Sequence, residues 1–470
     1  MKKYDFVIIG CGISCLYFLK KVKKMGLPLK IAILEKKPIA GGRIHSIKIG
    51  DNIIDSGAMR FNKDHKLLWK LLKEYEIPGV EELVSRINVK LGVELEKKFK
   101  EFLRECSGDK YARFAFGEIA KTKFTAAEYQ KLKLWYGYDQ EWEEFNCQRL
   151  CQLYLPNYDA NEYFHVKDGL SQLINAMFKD LEESFDFFIG EKVVKIADGN
   201  NIYTWSNKHL VGDHIIFACP PHSIMHINGT SELRTVCAGV GATTLNRIYA
   251  KFRDDSWFPK EVIHSSRPIS QVVPIGDGVI MISYTTERGA KYWIEREIDG
   301  TLWEALREDL RSIGMEVRER PEWIKQNYWN PATHYYRPNF SGKKTQEWSF
   351  QPIFGKNWHI IGEAFSMNQG WMEGALQNAE LFFKKYFGGK LKLMEKIYTM
   401  KEVEKHNTEK DAWLVLYGNV YDVTRWIPVH PGGDVIKYGI GKDATEMFEN
   451  VGHNEDALEF MNNYKIGKLG

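Results

Sequence analysis

The residues best placed to do chemistry stand near the two ends of the chain. Close to the start, the strand-like run Asp5–Ile9 leads into Gly10-Cys11-Gly12-Ile13-Ser14-Cys15, which opens an amphipathic helix through Leu16, Leu19 and Val22. Gly10 and Gly12 let the backbone come close to a ligand, and the exposed N–H groups where the helix starts at Ile13 and Ser14 favour a pyrophosphate. A second strand, Ile31–Leu34, ends at Glu35. That is the spacing at which a carboxylate accepts the hydroxyls of a ribose lacking a 2′-phosphate. Arg60 offers a planar fork of donors that can hold a carboxylate through two bonds and keep its charge when desolvated. Near the other end, His430 precedes Pro431-Gly432-Gly433 and His453 follows Val451-Gly452. Two histidines on separate turns can clamp a metal from both faces.

The elements that must position these groups are legible in outline. A chain of 470 residues suffices for two or three domains with sizeable cores. The net charge of +3 is close to neutral and points to neither nucleic acid nor an anionic membrane surface. Seven cysteines, an odd number without metal-finger spacing, fit a reducing compartment better than a disulfide framework. The run Phe6–Leu19 is too short to span a bilayer and reads as first strand and helix. Residues 65–163 read as a helical insertion, with Leu67, Leu68, Leu71 and Leu72 on one face and Phe99, Phe102 and Leu103 on another. Its aromatic patch Trp135, Tyr136, Tyr138, Trp142 and Phe145 fits helix packing more readily than a substrate funnel.

Glu35, Gly41-Gly42-Arg43 and Asp55-Ser56-Gly57-Ala58 stand in the order found in flavin-containing amine oxidoreductases, and Gly57-Ala58-Met59-Arg60 resembles the subgroup acting on amino acids, the L-amino acid oxidases and tryptophan monooxygenases. The resemblance implies that Arg60 holds a substrate carboxylate and that Gly42, Arg43, Gly57, Ala58 and Met59 line FAD. Phe164–Leu170 is similar to the segment that returns to the flavin domain, and Val193 or Val194 falls where relatives touch the adenine. The pattern closes with Ile360-Ile361-Gly362-Glu363-Ala364 and Gly370-Trp371-Met372-Glu373-Gly374-Ala375. There the resemblance gives Gly362, Met372 and Ala375 to the flavin, Glu363 to ribityl hydroxyls or a phosphate-bound water, and Trp371 to both flavin and substrate. Tyr335 or Tyr336 is expected as a second substrate wall. Ala364, Phe365 and Ser366 occupy the usual attachment site, so the FAD is expected to be non-covalent.

One departure stands out. Relatives carry a lysine near flavin N5, ten residues before an aromatic pair, and counting back from Trp257 puts Arg247 there. Arginine keeps the charge but does not readily release a proton, which puts reaction of reduced flavin with oxygen in doubt.

From Tyr398 to Gly470 the chain resembles a complete cytochrome b5 domain, through Trp413-Leu414-Val415, Tyr421-Asp422-Val423-Thr424, His430-Pro431-Gly432-Gly433, Val451-Gly452-His453 and Tyr464-Lys465-Ile466-Gly467. The resemblance makes His430 and His453 the axial ligands of haem b. With both axial positions filled by protein, such a domain carries single electrons.

The expected architecture is therefore α/β and α+β. A Rossmann-like FAD domain with a mixed-sheet substrate domain and a helical insertion spans 1–390, a linker 391–397, and a small α+β haem domain 398–470. The expected reaction takes a hydride from the Cα–H of an amino acid or related amine, and electrons pass singly to the haem and an external acceptor or O2. The alternatives are a desaturase or monooxygenase fed through the haem, and a redox carrier with a degenerate flavin site. No membrane span and no nucleic-acid partner are expected, and the chain reads as soluble and cytoplasmic.

Overall fold

The computed structural model of the chain describes residues 2–83, 86–157, 162–394, 397–453, 455–461 and 464–470. It divides into two units, Met1–Phe382 and Phe383–Gly470.

The first unit is built on strand Lys2–Ile9. Phe6, Val7, Ile8 and Ile9 are all buried, so both faces of the strand are covered, as expected of a parallel sheet between layers. Parallel neighbours lie on both sides, Ile31–Glu35 followed by Asp186–Ile189 on one and His209–Phe217 on the other. Trp358–Ile360 runs parallel to the last residues of His209–Phe217, whereas the antiparallel pair Asn201–Thr204 and Val193–Ala197 extends from its first residues. Helix Ile13–Met25 buries Ile13 through Leu19 and Val22, and it ends at Gly26 in the left-handed conformation, which costs glycine little.

A second sheet, antiparallel, has the order Ile263–His264, Gln271–Gly276, Val279–Thr285, Val240–Lys251, Trp323–Tyr336. Ile248, Ala250, Ile280 and Ile282 pack with Trp293 and Leu306 of helices Glu287–Ile298 and Leu302–Ser312. Leu245, Tyr249, Met281 and Tyr284 belong to a separate core. The period-2 alternation of strand Val240–Lys251 puts Arg247 on the face of Leu245 and Tyr249.

The region read as a helical insertion does contain helices, among them Lys66–Glu74, Val93–Cys106, Ala126–Tyr136 and Cys147–Asn157. Thr125 and Glu128 form a reciprocal capping box at the start of Ala126–Tyr136. The region also holds a strand, Val80–Leu83, that pairs with Tyr163–Val166. Its two glutamates disfavour a strand locally, so the distant partner decides the conformation. The helix beginning at Met372 continues to Met394, so residues 391–394, expected as linker, are helical; 395 and 396 lie outside the described residues.

The second unit contains a five-stranded sheet in the order Ile397–Tyr398, Lys465–Leu469, Asn419–Asp422, Asp411–Leu416, Asn407–Thr408. The core against it is formed by Ala412, Leu414, Leu416, Tyr421, Val423 and Ile427. His430 follows the short turn Ile427–Val429, and His453 lies three residues beyond helix Thr445–Asn450. No helix among the described residues is long and apolar enough to cross a membrane.

Candidate active site and haem site

The carboxyl ends of the parallel strands open on a cavity of about 1990 Å³, about twice the upper end for ordinary small-molecule pockets. That is room for an extended dinucleotide and a second small molecule. At its floor Gly10 has φ +105°, and a Cβ there would lie 2.6 Å from the carbonyl oxygen of Ala218. The turn therefore accepts only glycine. The helix beginning at Ile13 has no side-chain cap, which leaves its first N–H groups for an anion. Glu35 is buried, and its two oxygens accept the N–H groups of Cys11 and Lys37 at 2.8 Å each. A carboxylate has about four acceptor positions, so two remain for ribose hydroxyls.

Glu363 is placed differently from the expectation. One of its oxygens accepts from the backbone N–H of His334 at 3.1 Å and of Gly370 at 2.6 Å; the other accepts from Arg43 at 2.8 Å and His334 Nδ1 at 2.7 Å. All four acceptor positions are filled, which leaves none for ribityl hydroxyls. Burial pushes this carboxyl up, but Arg43, His334 and the Gly370 N–H outweigh it and hold it well below the usual carboxylate range. Glu363 thus joins the loop around Gly370, strand Trp323–Tyr336 and Arg43 as a structural hub.

Arg60 lines the cavity. One of its nitrogens donates to the Tyr138 hydroxyl, and its guanidinium lies 5.3 Å from the ring centre of Tyr163 and 5.6 Å from that of Tyr284. Burial disfavours its charge, but the surrounding phenols more than compensate. Arg247 is buried, donates to the carbonyl oxygens of Gly57 and Asp55, and lies 4.9 Å from the Tyr284 ring centre. A Cβ at Gly57 would sit 1.9 Å from the Arg43 carbonyl oxygen, so this segment is held between Arg43 and Arg247. Trp371 lines the cavity as well, parallel to Tyr163 at 6.1 Å and edge-on to His65 at 4.9 Å.

Gly10, Gly12, Ile13, Ser14, Glu35, Gly42, Arg43, Gly57, Ala58, Met59, Arg60, Val193, Arg247, Gly362, Glu363, Trp371, Met372 and Ala375 all line this one cavity. The carbonyl of Val194 instead accepts the Asn228 N–H. Tyr335 and Tyr336 do not line it. Tyr335 stacks on Phe145 at 4.3 Å and donates to Glu144, and Tyr336 is buried in the core of the main sheet. Residues 328–334 of the same strand do line the cavity, and the buried Nε2 of His334 has no hydrogen-bond partner among the described residues. Its Nδ1–H must donate to Glu363, because a carboxylate has no proton to give. Burial lowers the His334 pKa, so the ring is neutral and Nε2 is an unprotonated acceptor. From the insertion, Trp135, Tyr136, Tyr138 and Phe145 line the cavity, while Trp142 is core. Tyr284, which no motif marks, also lines it.

In the second unit the rings of His430 and His453 lie 6.2 Å apart, which leaves room between them for one metal ion in a flat macrocycle. His430 Nδ1 pairs with the Gly433 carbonyl at 3.2 Å and His453 Nδ1 with that of Phe448 at 3.0 Å. Each ring thereby keeps its Nε2 lone pair for iron. Val429, Val435, Tyr438, Met447 and Val451, on the segments carrying the two histidines, are all exposed, an apolar surface of the kind a porphyrin covers.

The description "flavin containing amine oxidoreductase" matches residues 12–149 and 88–381. The chain belongs to the flavin-containing amine oxidoreductases. Residues 399–470 match a cytochrome b5-like haem/steroid-binding domain. Over 75 residues the chain is 55% identical to cytochrome b5 of Drosophila melanogaster and 49% identical to cytochrome b5 isoform B of Arabidopsis thaliana. These matches take in 16% of this chain and 56% of each relative, so the chain spans about half the length of the curated relatives it matches. Among solved structures, putrescine oxidase bound to putrescine superposes with a TM-score of 0.66 at 13% identity, and cyclohexylamine oxidase from Brevibacterium oxydans with 0.66 at 14%. Each covers 82% of this chain and 99% of the other. At such identity the likeness is one of fold. This amine oxidoreductase thus carries FAD in its first unit and haem in its second, and the glycine floor and the paired histidines fit those groups.

Proposed function

We propose that this amine oxidoreductase oxidises an amino acid, or an amine that also carries a carboxylate, and passes the electrons through its haem to an external acceptor. When bound, FAD supplies a two-electron acceptor and haem a one-electron carrier. Arg60 binds the substrate carboxylate and turns Cα toward the flavin end of the cavity. Trp371 and Tyr163 wall the substrate and exclude water. Arg247 sets a fixed positive charge beside the Gly57 segment. The cytochrome b5 resemblance and the histidine pair support electron passage through haem.

The observation that carries the substrate reading is the state of Arg60. It lines the cavity inside a cluster of phenols, and no carboxylate among the described residues forms an ion pair with it. A simple amine brings a cation and has no use for such a group. The test is anaerobic mixing of the purified protein with a panel of amino acids and the matching amines that lack the carboxylate. Bleaching of the flavin band by amino acids supports the reading; bleaching by the amines alone overturns it.

A further inference from the structure

Arg60 and Trp371 come from segments far apart in the chain, and both approach Tyr163. The Arg60 guanidinium lies 5.3 Å from the Tyr163 ring centre, and the Trp371 ring lies nearly parallel to that ring at 6.1 Å. Arg60 and Tyr163 share one frame. Phe61 and Asn62, next to Arg60, pair antiparallel with Phe164 and Tyr163, and the buried Phe61 ring packs on Trp69 and Phe164. Trp371 belongs to another frame. The Gly370 N–H before it donates to Glu363 at 2.6 Å, and a Cβ at Gly374 would lie 1.9 Å from the Asn368 carbonyl oxygen. The start of helix Met372–Met394 is thus packed directly on its own loop.

A buried carboxylate joins the two frames. Helix Lys66–Glu74 begins shortly after Arg60, and its N-cap residue, His65, gives it no side-chain cap. The N–H groups of its second and third residues, the ones a cap normally satisfies, donate to Glu373 instead. Leu67 reaches one oxygen at 3.0 Å and Leu68 the other at 2.9 Å. Glu373 is 1% exposed, and Gln377 donates to it at 3.3 Å. Burial pushes its carboxyl up, while the two N–H groups and Gln377 act against that shift. The positive end of the helix favours a carboxylate at this place. His65 meets the Trp371 ring edge-on at 4.9 Å, so the capped turn rests against the wall of the cavity.

We propose that Glu373 is a positioning residue, which caps helix Lys66–Glu74 from across the site and thereby sets the spacing between Arg60 and Trp371 that turns the substrate Cα toward the flavin. This rests on the amino-acid reading above. Glu373 does not line the cavity, so it acts through these two residues and not on the substrate. A substrate held by its carboxylate at Arg60 feels any change in that spacing. An amine without a carboxylate does not use Arg60 and is indifferent to it.

The test compares the holoenzyme with Glu373→Gln, Arg60→Met and the double variant. Glutamine keeps the size of the side chain but turns its own N–H donors toward one of the two backbone N–H groups. Each is mixed anaerobically with the protein amino acids and with the amines left when these lose the carboxyl group. In Glu373→Gln the rate of flavin bleaching at saturating amino acid is expected to fall about a hundredfold, as for a misplacement of about 1 Å. The half-saturating concentration is expected to stay nearly the same, and the rate with amines to hold. In the Arg60→Met background the same substitution should add almost nothing. Equal losses for amino acids and amines, a change in half-saturation alone, an additive double variant or no change at all overturns the proposal. Amide hydrogen exchange supplies a readout without substrate. Leu67 or Leu68 is expected to exchange about tenfold faster in Glu373→Gln, and unchanged protection of both overturns the proposal. If no amino acid bleaches the wild-type flavin, the amino-acid reading falls, and the exchange of these two amides still decides whether Glu373 is the joint. Should Glu373→Gln fail to load flavin, Glu373→Asp, which keeps the charge and shortens the reach, is read in the same two assays.

Discussion

Arg43 donates to Glu363 across 2.8 Å and 320 residues of chain, joining the Gly41-Gly42-Arg43 turn to the Gly362-Glu363 turn. Glu363 is buried, whereas the Arg43 side chain is 30% exposed. Removing one partner of a fully buried pair costs about 3–5 kcal/mol, and partial exposure puts this pair near the lower end. Glu363→Gln is expected to destabilise the first unit by about 2–3 kcal/mol, read as a lower unfolding midpoint. The pH dependence has a definite sign. The folded-state pKa of Glu363 is depressed, so its contribution is present above the ordinary glutamate pKa and is lost as pH falls toward the folded value. Wild type and Glu363→Gln should differ most near neutrality and converge in acid. A difference that grows in acid would contradict the ion pair.

Arg60→Met removes the proposed carboxylate partner and leaves a side chain of comparable length. Loss of a desolvated charged hydrogen bond costs about 2–5 kcal/mol, so KM for amino acids should rise about thirtyfold or more. For amines without a carboxylate it should hardly change. Equal effects on both would mean that Arg60 serves structure alone.

His430→Ala and His453→Ala each remove one of the two rings that stand 6.2 Å apart. Either is expected to abolish the six-coordinate haem spectrum while leaving the flavin band and its bleaching by substrate intact. A variant that keeps the unaltered haem spectrum would exclude that histidine as an axial ligand.

Much of this arrangement was legible in the sequence because it depends on local backbone needs. The Gly10 turn, Glu35 at a strand end and the Gly57 segment are short-range patterns, and the structure sets all of them around one cavity. The histidine pair was legible for the same reason. What stayed hidden depends on partners far along the chain. Tyr335 and Tyr336 looked like walls, yet strand alternation and packing against Phe145 and the main-sheet core take both away. Residues 328–334 of that strand line the cavity instead. Glu363 looked like a hydroxyl acceptor until its four donors, from three separate segments, filled it. Tyr284 lies in an ordinary strand, and only the fold brings it to Arg60, Arg247 and Tyr138.

Arg247→Lys tests the departure that the family resemblance assigns to the neighbourhood of the flavin. A lysine restores a group able to release a proton. Reoxidation of the substrate-reduced enzyme by O2 should then quicken, by about a hundredfold if proton transfer limits that step. An unchanged rate in a folded, flavin-loaded variant would show that Arg247 does not limit the reaction with oxygen.

The central claim is that the two cofactors of this chain form one electron path fed by an amino acid. Rapid anaerobic mixing of the fully loaded protein with its best amino-acid substrate, followed at the flavin and haem bands together, tests it most directly. The account predicts that the flavin band bleaches first and the haem band then shifts to its reduced form at a rate independent of protein concentration. A bleached flavin beside haem that stays oxidised, or haem reduction whose rate scales with protein concentration, would contradict it.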